Sequence, residues 1–235
     1  MIRLGVTGTD TGVGKTTVAC ALLAMLRARG VRTAAMKPVE TGVRVDDEAS
    51  DAARLRALAN VPQPLGDIRP YAFPDPLAPL AAAERLGTAI DIAVLDAAFA
   101  RTCQGADAVI VEGAGGALVP LTATATVLDL FHRWSLDVLI VAANRLGVLN
   151  HALLTDRAVR SRGLRLRAIV LVDAPEPDAS SGSNAGMLAR LTRAPVLCFP
   201  RLDVPEDARA LADAGIRAGL SPLLTDLMPS LTTVR

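Results

Sequence analysis

Residues 8–16 read Gly-Thr-Asp-Thr-Gly-Val-Gly-Lys-Thr, and their surroundings leave the chain few folds to choose from. An apolar, β-leaning run at 2–6 precedes them. A helical pattern at 17–29, carried by Val18, Ala21, Leu22, Met25 and Leu26, follows. Strand, glycine-rich loop and helix in this order bring backbone amides and a helix N-terminus to bear on an anion. Lys15 then reaches the terminal phosphates and the Thr16 hydroxyl can hold Mg²⁺, with Gly12, Val13, Gly14 and Thr17 completing the nucleotide's cradle. The spacing departs from the usual one. Thr9 stands where the first glycine normally falls, so that five residues rather than four separate Gly8 from Gly14-Lys15.

A chain of 235 residues can form one large α/β domain, here taken as 1–235. Its 51% hydrophobic content suffices for a sheet buried on both faces, and with only 3% aromatic residues Ala, Leu and Val must fill the core. A net charge of +1 gives no electrostatic case for nucleic acid or anionic membranes. Cys20, Cys103 and Cys198 lie far apart without metal-ligand spacing, and Cys20 and Cys198 read as small core residues. The chain enters a core strand at once, leaving no room for a leader, and no apolar run reaches 18 residues. A cytoplasmic location is expected.

Further strands are expected at 33–37, 108–111, 138–142, 166–172 and 195–199. Helices are expected at 48–59, 90–103, 126–134, 151–162, 183–191 and 205–218. Several of the strands are continuous apolar runs, the mark of strands covered on both faces. The alternation predicts a doubly wound, mostly parallel sheet with helices on both faces, of the P-loop NTPase type. The stretch 62–79 reads as the main irregular segment and 174–186 as a mobile surface loop.

Such sheets bind ligands outside the carboxyl ends of their strands, so the residues there carry the chemistry. The second strand runs into Lys37-Pro38-Val39-Glu40-Thr41-Gly42. A second cation beside a phosphate loop suits a reaction that builds negative charge on transferring oxygens, although an exposed strand-end lysine reads the same way. After 108–111 comes Glu112-Gly113-Ala114-Gly115-Gly116, a carboxylate in the usual position for a second Mg²⁺ ligand, with glycines that let backbone approach a ligand. Asp46, Asp47, Glu48 and Asp51 cluster at a helix start, where acids also serve as caps, and local physics does not choose among them. No convincing Ser-His-Asp or Cys-His set is present.

These residues resemble the dethiobiotin synthetase family over the chain from the glycine loop to about Ala174. The resemblance rests on Gly8 through Thr16, on Lys37-Pro38-Val39 with Thr41-Gly42, on 111–116, and on Leu146-Gly147-Val148-Leu149-Asn150-His151. It implies an ATP-dependent cyclo-ligase of biotin synthesis that takes 7,8-diaminononanoate, CO₂ and ATP. An amine captures CO₂ as a carbamate, the carbamate oxygen attacks the γ-phosphate, and the second amine closes the ring with loss of phosphate. The resemblance assigns Mg²⁺ to Thr16, Asp51 and Glu112, with Asp47 as the fallback. It gives Lys15 and Lys37 the charge neutralisation, and Thr11 and Thr41 hydroxyl contacts around carbamate and phosphate. Gly115, Asp173 and Pro200 join the nucleotide site. The substrate carboxylate is held by Gly147, Val148, Leu149 and Asn150 of the other subunit, so a homodimer completes each site.

Two departures qualify this transfer. Gly12 stands where well-known members carry Glu, and Val172 stands where adenine-selective members carry Asn. Valine cannot pair with an adenine edge, so other nucleoside triphosphates are open to the site and residues near 200–203 are candidates for reading the base. His151 is open to a general-base role or to a cap, and His132, beside Phe131 and Trp134, reads as structural. The rival class is a partition-type ATPase switch, whose loop carries an extra lysine near its start and whose C-terminal helix is basic. Here Thr9-Asp10-Thr11 fill that loop position, and 221–235 holds only Arg235 as a basic residue. A related amidating synthetase of corrin synthesis would need a glutaminase domain that 235 residues do not accommodate.

Overall fold

The computed structural model describes residues 1–202 and 207–228. It begins with strand Ile2–Gly8 (β1), helix Lys15–Ala28 (α1) and strands Thr33–Met36 (β2) and Val39–Thr41 (β3). Helices Asp51–Leu58 (α2) and Leu65–Ile68 (α3), strand Tyr71–Phe73 (β4), and helices Pro79–Arg85 (α4) and Ile92–Thr102 (α5) come next. Strand Ala108–Gly116 (β5), helix Val127–Arg133 (α6), strand Asp137–Asn144 (β6) and helix Val148–Ser161 (α7) follow. Strand Leu166–Asp173 (β7), helix Ser181–Leu191 (α8), strand Val196–Phe199 (β8), and helices Ala208–Arg217 (α9) and Leu220–Leu227 (α10) complete the described chain.

Six strands form one sheet in the order β2-β5-β1-β6-β7-β8, every neighbouring pair parallel. The period of two along each strand divides its residues between two cores. Ala108 and Ile110 join Leu4, Val6, Leu139, Val141 and Val170 on the face covered by α1 and α9. Val109 and Val111 join Val138, Ile140, Ile169 and Leu171 on the face covered by α5, α6 and α7. Strands buried on both sides need apolar residues at every position, which is why the runs lack alternation. Helix α1 is buried without a break from Val18 to Leu26, with the sheet on one side and α2 and α9 against the others.

β1 therefore lies inside the sheet, between β5 and β6, and the glycine loop leaves its carboxyl end. Its neighbour helix comes unusually close. A Cβ at Gly5 would lie 2.5 Å from the Phe131 ring of α6.

Several expectations are corrected. The stretch 62–79 is not simply irregular: it contains α3 and β4, and β4 pairs in parallel with β3, Val39 opposite Tyr71 and Thr41 opposite Phe73. Three-residue strands are too short to show a period. The 174–186 loop becomes helical at Ser181, where hydrogen bonds of Ser181 Oγ to the Asn144 carbonyl (3.1 Å) and Asn184 Nδ2 to Asn144 Oδ1 (3.0 Å) hold a Ser/Gly-rich start of low propensity. Helix α7 begins at Val148 rather than 151, because Gly147 in the left-handed region (φ 95°) is its cap. The helix expected from 48 begins at Asp51, capped by Ser50. Cys198 is exposed rather than buried, since β8 is an edge strand. Helices α4 and α10 lie outside all the expected helices. Residues 203–206 and 229–235, which include the start of the expected 205–218 helix, the end of the 200–203 base-reading stretch and the terminal tail with Arg235, lie outside the described residues.

The Gly5–Phe131 approach is testable. Gly5→Ala should overpack this layer and cost about 1–3 kcal/mol in urea denaturation. An unchanged midpoint would show that α6 yields freely.

Candidate active site

The carboxyl ends of β1, β2 and β5 are adjacent, and each delivers one part of a charged cluster. Beyond Gly8 the backbone turns through Gly12 (φ 68°) and Gly14 (φ 95°), conformations that side chains with a Cβ rarely adopt. Gly14 caps α1, which puts Lys15 and Thr16 in the first turn. Lys15 Nζ folds back to donate to the Asp10 carbonyl at 2.8 Å. Burial, assisted by the neighbouring Lys37 charge, pulls its pKa down to about 8.

β2 stops at Met36 because Pro38 cannot continue the ladder, and Lys37 turns into the site. It is 4% exposed. Its ammonium donates to Glu112 Oε1, through a short contact, and to Asp51 Oδ2 at 3.1 Å. Thr16 Oγ1 donates to the same Glu112 Oε1 at 3.0 Å. Burial lowers the Lys37 pKa, but Glu112 and Asp51 outweigh it and hold the ammonium charged above its ordinary range. Burial would raise Asp51, and Lys37 with Thr16 outweighs that, leaving the carboxyl below the usual range. Burial pushes Glu112 up against the pull of Lys37.

Two cavities flank the glycine loop. The larger, about 510 Å³, is lined by Thr11, Gly12, Gly14, Lys15, Thr16 and Thr17, and on its other walls by Lys37, Thr41, Asp51, Glu112 and Gly115. The smaller, about 310 Å³, shares Thr11, Gly12, Gly14 and Thr17 and adds Val13, Val172, Asp173 and Pro200. The candidate residues from β1, β2, β3 and β5, with Asp51 of α2, thus meet around the loop. Asp51 rather than Asp47 meets Lys37. The Asp47 carboxylate accepts the Ala49 amide at 2.8 Å and shapes the turn before α2, although Asp47 also lines the larger cavity. Gly147, Val148, Leu149 and Asn150 line neither cavity; Val148 and His151 border a small recess beside Thr9 and Asp10. His151 and His132 are both exposed, and neither faces the Lys37 cluster. Gly113 serves packing, because a Cβ there would lie 2.6 Å from Val127, whereas Gly115 (φ 61°) borders the cavity.

The chain matches a family model described as an AAA domain over residues 3–207. It is 50% identical over 215 residues to the ATP-dependent dethiobiotin synthetase BioD of Anaeromyxobacter dehalogenans, a match covering 90% of this chain and 96% of the relative. It is 40% identical over 225 residues to BioD 1 of Salmonella typhi, covering 94% of this chain and 97% of that relative. The chain belongs to the dethiobiotin synthetase family. Among solved structures it is similar to chloroplast FtsY from Physcomitrella patens, with 18% identity and a TM-score of 0.47 over 91% of this chain; it spans 64% of that protein. Among the described residues no helix is long and apolar enough to cross a membrane.

Against this family background, several residues around the site carry no signal in the sequence. Glu40 and Arg69 pair at 3.0 Å while buried, yet lie 29 positions apart. Asp178 accepts the Leu146 amide at 2.6 Å, tying the segment after β7 to the turn before α7, and its pKa falls to about 2, chiefly through the Ser180 hydroxyl. Val172, by contrast, is singled out by the sequence, and it forms an apolar wall whose methyl carbons stand 3.1 Å from where a Gly14 Cβ would be.

Lys15→Ala and Lys37→Ala should each slow turnover about 10²–10³-fold, the usual effect of losing one preorganised charge donor. Steady-state kinetics on variants with native circular dichroism checks this. Near-normal turnover in Lys37→Ala would reduce that residue to a structural ion-pair partner.

Proposed function

We propose that, in this ATP-dependent dethiobiotin synthetase of biotin synthesis, the two cavities are the reacting half and the nucleotide half of one site. The observation that carries the site assignment is the convergence of Lys15, Lys37, Thr16, Asp51 and Glu112 at three adjacent strand ends. A diamine, CO₂ and ATP need no nucleophilic side chain. One amine adds to CO₂, a carbamate oxygen attacks the γ-phosphorus, and the bond to ADP breaks. The second amine then attacks the carbamate carbon and phosphate leaves with an oxygen that came from CO₂. Every step moves negative charge among oxygens, and what the chain supplies is position and positive charge. Lys15 would face the transferring phosphate, Lys37 the carbamate, and the Thr11 and Thr41 hydroxyls would fix their oxygens.

The donor set fits Mg²⁺. Glu112 Oε2 is buried without a hydrogen-bond partner, a costly state that a hard cation relieves. Thr16, Asp51 and Glu112 would hold the ion. When bound, it neutralises charge on the β- and γ-phosphate oxygens. Removing divalent ions with EDTA should abolish dethiobiotin formation, followed by mass spectrometry from ATP, bicarbonate and diaminononanoate, and Mg²⁺ should restore it. Activity unaffected by EDTA would contradict the metal assignment, and absence of product with all substrates present would contradict the function.

The nucleotide half is complete on its phosphate side and apolar at Val172. A pocket that hydrogen-bonds its ligand discriminates by about 10⁴-fold, an apolar contact by far less. CTP, GTP and UTP should therefore turn over within roughly 10²-fold of ATP, and Val172→Asn should favour ATP. Strict ATP selectivity in the unaltered chain would assign base reading to other groups around Pro200.

A homodimer is part of the reading. The first turn of α7, exposed at Asn150 and without a side-chain cap at Gly147, is a ready carboxylate site that none of the reacting residues of its own subunit reaches. Asn150→Ala should weaken diaminononanoate binding and leave nucleotide affinity intact. Lys15→Ala subunits mixed with subunits disabled at 147–150 should regain activity, since one hybrid site has both good halves. No rescue after verified exchange would place each site within one chain.

A further inference from the structure

The larger cavity has a wall whose order depends on a pair of buried charges. Glu40 on β3 and Arg69, just before β4, are 5% and 4% exposed. Both oxygens of Glu40 are engaged. Oε1 accepts the Asp51 amide at 2.7 Å, and Oε2 accepts Arg69 Nη1 at 3.0 Å and the Ala52 amide at 3.4 Å. The carboxylate thus sits at the N-terminus of α2, where negative charge is favoured and amides lack helical partners. Arg69 spends its other nitrogen on backbone: Nη2 donates to the carbonyls of Arg44 (3.2 Å) and Val45 (2.7 Å). Val45 has no packing reason to be held, the residue being 77% exposed. Its carbonyl is gripped nonetheless.

We propose that Glu40 and Arg69 are positioning residues for the reacting half of the site. Glu40 fixes the first residue of α2, and with it the Asp51 carboxylate that meets Lys37. Arg69 holds the backbone at 44–45 so that Val43, Asp47 and Ser50 wall the cavity. Thr41 follows Glu40 directly on β3, so one ion pair sets the register of a hydroxyl, a carboxylate and a covering loop. Neither partner touches the glycine loop, and the nucleotide half lies outside its reach. This rests on the assignment of Thr41 and Asp51 to the reacting half.

The test compares Glu40→Gln, Arg69→Met, the double variant Glu40→Met with Arg69→Met, and Asp51→Asn. Removing one partner of a buried pair destabilises, whereas replacing both with apolar residues of similar volume is often neutral, so the double variant separates stability from positioning. Turnover in all of them should fall about 10²-fold, the usual effect of a misplacement near 1 Å. Affinity for a fluorescent ATP analogue should be unchanged in the three Glu40 and Arg69 variants. Hydrogen exchange at amides 44–52 should quicken in the three Glu40 and Arg69 variants and remain fast in the double variant even at wild-type Tm. A double variant with wild-type Tm, turnover and exchange would overturn the proposal, as would equal losses in nucleotide affinity and turnover. If Arg69→Met does not fold, Glu40→Gln with normal exchange at 44–52 overturns it alone. Wild-type turnover in Asp51→Asn would instead overturn the site assignment, leaving the exchange data to judge the pair.

Discussion

Lys37 and Glu112 face each other where water scarcely reaches, and much of the site is arranged to make that tolerable. Two ions removed from water cost several kcal/mol each unless their remaining hydrogen-bonding capacity is met. Asp51 and Thr16 meet part of it, one from α2 and the other from α1. One oxygen of Glu112 stays unpaired. A chain built for stability alone could fill this place with apolar side chains. What persists is charge of both signs, held in fixed positions beside a loop whose amides point at phosphate. That is the form electrostatic preorganisation takes in phosphoryl transfer.

The sheet makes the cluster possible. β5 lies between β2 and β1, so Lys37 just past β2, Glu112 within β5 opposite Val6 and the glycine loop after β1 meet at one edge of the barrier between two apolar cores. Parallel strands all end on the same side, which gathers residues from positions 8, 37 and 112 without any long-range loop. The small β3–β4 sheet adds a second frame. Its β3 carries Glu40 and Thr41 to the cavity wall, and β4, from the proline-rich stretch, pairs behind it.

How much of this was legible in the sequence follows from how locally each feature is encoded. The loop, α1 and the apolar strands are written in short patterns and appear near where expected, although β5 runs past the expected 111 through Glu112 to Gly116. Lys37 and Glu112 were legible because strand ends in such folds hold the chemistry. Local physics does not separate Asp51 from Asp47, since both are acids at a helix start; the family resemblance prefers Asp51, and it is Asp51 that contacts Lys37. Glu40 with Arg69 was invisible, because a buried pair 29 residues apart leaves no period and β4 is three residues long. The start of α8 was hidden by its Ser/Gly composition, which tertiary bonds to Asn144 override. Cys198 shows the converse error, an apolar run taken as buried although its strand lies at the sheet's edge.

The most direct measurement is a crystal structure with Mg²⁺ and a non-hydrolysable ATP analogue. The expected result is a metal ion held by Thr16, Asp51 and Glu112, with Oε2 of Glu112 engaged and Lys15 turned from the Asp10 carbonyl toward the γ-phosphate. A metal bound elsewhere, with the Lys37–Glu112 contact intact and Oε2 still without a partner, would contradict the claim that this buried ion pair is the centre of the reaction.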